Sequence, residues 1–114
     1  MSSRAAIAAE RGEVELDSGL VYAPGRPVLV RVRKRGRRYE LDDAGAAVDG
    51  AGSPPGWMPV AERTVAEHDL NVNRSGRVFV PIVEGRDLGA LVAKVAEASL
   101  AVHDALLELD AGVS

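Results

Sequence analysis

The chain has 114 residues, 46% hydrophobic and 27% charged, with a formal net charge of −3. That length and composition fit one globular domain with one modest core and exclude a disordered chain. The lack of cysteine excludes disulfides and thiolate metal sites, and no apolar run approaches the roughly 20 residues of a membrane span.

In chain order, Ser3 to Glu10 is Ala-rich and weakly amphipathic, and predicts a short N-terminal helix within residues 1–12. Residues 13–22 alternate apolar and polar around Asp17-Ser18-Gly19. Read as a three-residue hairpin loop, that tripeptide pairs Leu16 with Leu20 and Val14 with Tyr22. Helix continuing through Leu16 is the competing reading of residues 13–17. Pro24 and Pro27 then break the chain.

Pro27 to Asp42 predicts the clearest hairpin. An Arg35-Gly36 turn pairs Val32 with Tyr39 and Val30 with Leu41 on one face. On the other face it sets Arg31 opposite Glu40 and Arg33 opposite Arg38. The second of these is a like-charge conflict that an anionic partner would relieve. Residues 44–56 are rich in Ala, Gly and Pro and read as a loop with one helical turn over Ala44 to Val48.

Pro59 to Glu67 predicts a short helix with proline in its first turn. The loop Arg74-Ser75-Gly76 then pairs Val72 with Val78 and Leu70 with Val80. Pro81 lacks an N–H, which puts its strand at a sheet edge or in a bulge. Asp87 to Leu109 predicts a long helix capped by Asp87. Its apolar stripe is Leu88, Leu91, Val92, Val95, Ser99, Val102, Leu106 and Leu109, widened by Ala93, Ala96, Leu100 and Leu107. Lys94, Glu97, Asp104 and Glu108 mark its water side. Residues 110–114 form a short tail.

These elements predict an α+β domain over residues 13–109. Its antiparallel sheet of five or six hairpin-derived strands is covered on one face by the long C-terminal helix. The stretches VLVRVRKRGRRYELDDAG, HDLNVNRSGRVFVPIV and ASLAVHDALLEL resemble the DUF1828-like bacterial and phage domains of unknown function. That pattern closes a strand on an L-T-D-D-G-like motif. Here Leu41-Asp42-Asp43-Ala44-Gly45 carries an extra alanine, and residues 48–58 are Gly/Pro-rich where the family is more helical. The resemblance implies a fold and no activity. The topology is also similar to that of secretion chaperones, an analogy of fold alone.

Residues 26–38 hold seven basic side chains and no acid. With a total of −3, the remaining chain carries −10, so a dipolar molecule is expected. Arg31, Arg33, Lys34, Arg35, Arg37 and Arg38 are the candidate residues for binding an anion or a partner, because arginine matches phosphate and carboxylate geometry. Trp57, the only tryptophan, is the candidate interface anchor; a plug over the core is its plainer role.

Glu40, Asp42 and Asp43 could offer oxygen ligands to a divalent cation. However, Asp43 points away from the other two, and aspartate beside a Gly-containing turn is a turn or cap residue first. Ser99, His103 and Asp104 lie near one another on the long helix, but adjacent helical residues do not face each other, so no catalytic triad forms. No phosphate loop is present.

The expectation is a non-enzymatic interaction protein, with no cofactor and no metal. Its partner is another protein or a second copy of itself. A nucleic-acid module using the basic hairpin of residues 26–38 is the alternative. Lack of a signal-peptide pattern makes the cytoplasm the expected compartment.

Overall fold

A computed structural model describes residues 13–23, 25–84 and 88–112, with the backbone alone over 81–84. The predicted N-terminal helix and the Asp87 cap lie outside these residues. Five strands form one antiparallel sheet: β1 (Glu13–Tyr22), β2 (Arg26–Arg35), β3 (Arg38–Asp42), β4 (Asn71–Val72) and β5 (Val78–Glu84). Their spatial order is β1-β2-β3-β5-β4. Two short helices, α1 (Ala46–Gly50) and α2 (Trp57–Ala66), join β3 to β4, and α3 (Leu88–Asp110) closes the chain.

Residues 13–22 are one strand, not a hairpin and not a helix. Both ends of β1 pair with β2, Glu13–Asp17 with Arg33–Leu29 and Val21–Tyr22 with Pro27–Arg26, with a shift of register between Asp17 and Val21. The expected loop residues form that bulge. The Gly19 amide donates to Asp17 Oδ1 (2.9 Å), the Ser18 hydroxyl donates to the Val28 carbonyl (2.7 Å), and Gly19 takes φ 84°. A turn-forming tripeptide satisfies its backbone equally well inside a bulged strand. The alternation survives: Val14, Leu16 and Leu20 pack against the core and Tyr22 is buried in it.

The β2–β3 hairpin exists, in a register two residues away from expectation. Arg35 pairs with Arg38, Lys34 with Tyr39, Arg33 with Glu40, Val32 with Leu41 and Arg31 with Asp42. The two-residue turn is therefore Gly36-Arg37, with Gly36 at φ 64° in the first central position. A leading glycine suits a type II′ hairpin turn, whereas the expected turn put it second. A slip of two keeps every side chain on its face. Val30, Val32, Tyr39 and Leu41 remain inward and buried, while the like-charge pair moves from Arg33–Arg38 to Arg35–Arg38.

The Arg74-Ser75-Gly76 loop forms as expected and pairs Val72 with Val78. Asn73 Oδ1 gathers the amides of Ser75 (3.1 Å) and Arg77 (2.9 Å), fixing the turn. Leu70 is buried but outside the ladder, and Val80 pairs with Leu41 of β3 instead. Between Tyr39↔Val83 and Leu41↔Val80 the register shifts, so Pro81 sits in a bulge where its missing N–H is tolerated.

Helix α2 starts two residues before the expected Pro59, and the helical turn of the 44–56 segment starts at Ala46 rather than Ala44. Helix α3 lies on the inner sheet face and also packs against α1 and α2. Leu88, Val95, Ala96, Ser99, Val102 and Leu106 are buried as the stripe requires. Ala98 and His103 are buried too, because the small helices cover a second flank, whereas Ala93 and Leu107 are exposed. Burying each large apolar side chain contributes about 1.5–3 kcal/mol, and this single core joins all five strands to α3.

Candidate functional site

The sheet face opposite α3 carries the charged residues of β1, β2 and β3. Pairing aligns them in two rows, Glu13–Arg33–Glu40 and Glu15–Arg31–Asp42, each an arginine between two acids. Arg31 donates from Nε (3.0 Å) and Nη2 (3.3 Å) to the two oxygens of Asp42. Its Nη1 lies 3.9 Å from Glu13. Arg33 Nη2 sits 3.4 Å from both Asp42 and Glu40, and Arg35 Nε 3.2 Å from Glu40.

Partial burial pulls the Arg31 pKa down, but the hydrogen bond and charge of Asp42, with Glu13 and Glu15, leave it raised overall. Asp42 is 1% exposed because the two arginines roof it over. The expected Arg31–Glu40 pair is thus replaced by Arg31–Asp42. Three of the six candidate basic residues are neutralised within the face.

The hairpin tip differs. Arg37 and Arg38 are exposed, and among the described residues neither has an ion-pair partner. Lys34 is half-buried opposite Tyr39. Arg26 lies at the other end of β2, its guanidinium 5.8 Å from the centre of the Tyr22 ring. There it packs on Gly50, where any Cβ would collide with it. The basic stretch of residues 26–38 is therefore spread along a strand of about 30 Å rather than gathered in one patch.

Beneath the sheet lies a buried polar relay that sequence reasoning did not find. The Ser99 hydroxyl donates to Asp43 Oδ2 (2.7 Å), and the Tyr22 hydroxyl lies 2.5 Å from Ser99 Oγ. Since Ser99 spends its proton on Asp43, Tyr22 is the donor to Ser99. Asp43 also accepts the amides of Gly45 (2.8 Å), Ala47 (3.2 Å) and Val78 (2.9 Å). One carboxylate thereby ties the start of α1, strand β5 and helix α3 together.

Burial pushes the Asp43 carboxyl up from its ordinary pKa, against the pull of Ser99, Val78, Gly45 and Ala47. Burial likewise raises the Tyr22 phenol to about 12; the Ser99 bond and Arg26 lower it and the Asp43 charge raises it. The His103 ring, 1% exposed, stacks at a tilt on Tyr22 with centroids 4.9 Å apart. Among the described residues its Nδ1 has no hydrogen-bond partner, and it lies 4.0 Å from Asp104.

The Asp42 and Asp43 side chains point to opposite sides of the chain, as the alternation requires, and both hold the turn. Asp42 Oδ1 accepts the Ala44 amide at 2.8 Å, and Ala44 takes φ 58°. Among the described residues no group of three or more acidic or histidine side chains is placed to hold a metal ion. No helix there is long and apolar enough to cross a membrane. Trp57 begins α2 and packs half-buried on the core, so a plug and an exposed edge coexist in it.

Clefts open beside the arginine ladder, the largest described, about 320 Å³, lined by Glu13, Arg33, Lys34 and Arg35. Another of about 270 Å³ is lined by Tyr22, Arg26, Pro27, Leu29 and Ala44. A third, about 210 Å³, is lined by Glu40, Asp42, Asn73, Arg77 and Phe79. No protein-family model, curated protein or solved structure matches this chain.

Proposed function

We propose that this chain is a non-enzymatic interaction protein whose partner is a protein, including a second copy of itself. The observation that carries this reading is the acid–arginine–acid ladder on the open sheet face. Phosphate backbones attract surplus cations, and this face has no surplus: Arg31, Arg33 and Arg35 already sit against carboxylates. A balanced face of alternating charge suits the polar, specific contacts of a protein interface.

The buried Ser99 hydroxyl supports the same reading. It is 0% exposed and held between Asp43 and Tyr22, so it serves the core rather than an incoming substrate. The resemblance to DUF1828-like domains stands beside this proposal on its sequence motifs alone.

The alternative, a nucleic-acid module, now rests on Arg37 and Arg38 at the tip. Fluorescence-anisotropy titrations of single- and double-stranded oligonucleotides at two salt concentrations decide between them. No binding at physiological salt is expected. Binding whose log K falls with log salt at a slope of about −0.9 per phosphate contact, and which Arg37→Ser/Arg38→Ser weakens, would overturn the protein-partner reading.

A further inference from the structure

We propose that copies of this chain associate head to tail, the basic hairpin tip of one copy seating on the acidic end of α3 in the next. This rests on the interaction-protein reading and names the partner as a second copy.

Two local electrostatic conflicts support it, one at each end of the molecule. At the tip, Arg35 and Arg38 are direct cross-strand partners flanking Gly36-Arg37. Like charges placed so are destabilising. Glu40 contacts Arg35, and Glu84 is the residue paired with Arg38, yet Arg37 at the turn adds a further exposed positive charge to the tip. At the other end, α3 finishes with no basic residue in its last turn. The partial negative charge of its C-terminus is therefore not offset by any side chain of that turn.

Glu97, Asp104 and Glu108 are exposed and recur at steps of seven and four, which aligns them on one stripe, and Asp110 closes the helix. Each end thus tolerates a repulsion that the opposite end of another copy would relieve.

Geometry keeps the two ends from meeting within one copy. Strand β2 spans Arg26 to Arg35, about 30 Å at ordinary strand rise. At its Arg26 end, Gly50 is flanked by the Arg26 guanidinium and by the His103 ring. Asp104 follows His103 on α3 and Glu108 comes one turn later, so both sit toward the Arg26 end of β2, away from the tip. A contact between unlike surfaces is heterologous and propagates into rings or open chains. Exposed charges contribute little each, so the association is weak and salt-sensitive.

Sedimentation velocity on the full chain over a concentration series tests this. At low ionic strength the average mass should climb with concentration. It should return to the monomer near ~0.5 M salt, where the Debye length falls to a few ångströms. The tip variant Arg37→Glu/Arg38→Glu should be monomeric alone, and so should the helix variant Asp104→Lys/Glu108→Lys. All four positions are exposed, and circular dichroism would verify that both variants keep the fold. Mixed in equal amounts, the variants should associate again, because each tip then meets a helix end of opposite sign.

A parent that stays monomeric at low salt, variants that assemble like the parent, or a mixture that fails to assemble would each overturn the head-to-tail contact. A parent oligomer of salt-independent mass would do so too while leaving the interaction reading intact. Oligonucleotide binding is the outcome that removes the reading itself.

Discussion

Asp43 shows how one side chain acquires several jobs. Its position before Ala44-Gly45 identifies a turn residue, and it does hold that turn through the Gly45 and Ala47 amides. Nothing local announces Ser99, 56 residues away, or the Val78 amide, 35 residues away. The carboxylate works as a buried hub because every donor around it is spoken for. Asp43→Ala would strand three backbone amides and a serine hydroxyl in a region only 1% exposed. Each unsatisfied buried donor costs about 1–3 kcal/mol, so the variant should lose more than about 3 kcal/mol in urea unfolding. A loss below about 1 kcal/mol would show that water enters and replaces the hub. The candidate basic residues show the converse: their type was legible, but the pairing of Arg31, Arg33 and Arg35 depended on Glu13, Glu40 and Asp42.

For the elements, turn chemistry decides register. Gly36 at φ 64° has open space around it, so a side chain there would strain only the backbone. Gly36→Val should therefore cost about 1–2 kcal/mol, since a β-branched residue resists the left-handed region. Gly89, in the first turn of α3 and equally open, is the matched control. Gly89→Ala should stabilise by about 0.5–1 kcal/mol, because alanine loses less entropy in a helix. Urea midpoints of the two variants moving in opposite directions would confirm that Gly36, and not glycine in general, sets the hairpin. Equal shifts would place the turn elsewhere. The same logic explains the bulge in β1: Asp17-Ser18-Gly19 carries a turn signal, and the long partner strand β2 absorbs it without reversing the chain.

At the scale of the whole molecule, one core joins every element, so ionising a single buried group is felt by the entire fold. The Tyr22 pKa is raised to about 12 by burial, with its hydroxyl engaged by Ser99. The folded pKa lies above the unfolded value, so the neutral phenol stabilises the fold fully below about pH 10, the ordinary tyrosine value. That contribution is lost as pH rises through about 12. Global stability should fall across that window, in step with a late tyrosinate absorbance change. Tyr22→Phe should remove both signals; an unchanged alkaline profile in the variant would assign the effect to another group.

The sequence by itself determined which faces are apolar, where α3 and the β2–β3 hairpin lie, and which loops turn at Gly36 and Gly76, because these are local periodicities and local dihedral preferences. Only the tertiary structure decided that β5 inserts between β3 and β4 and that β2 and β3 meet two residues out of the expected register. It also decided that Asp42 and Glu40 claim the arginines, and that Tyr22, Ser99 and Asp43 form one relay. A strand's side-chain period is two, so a slip of two leaves its pattern unchanged, and long-range pairing alone selects among registers that the pattern cannot tell apart.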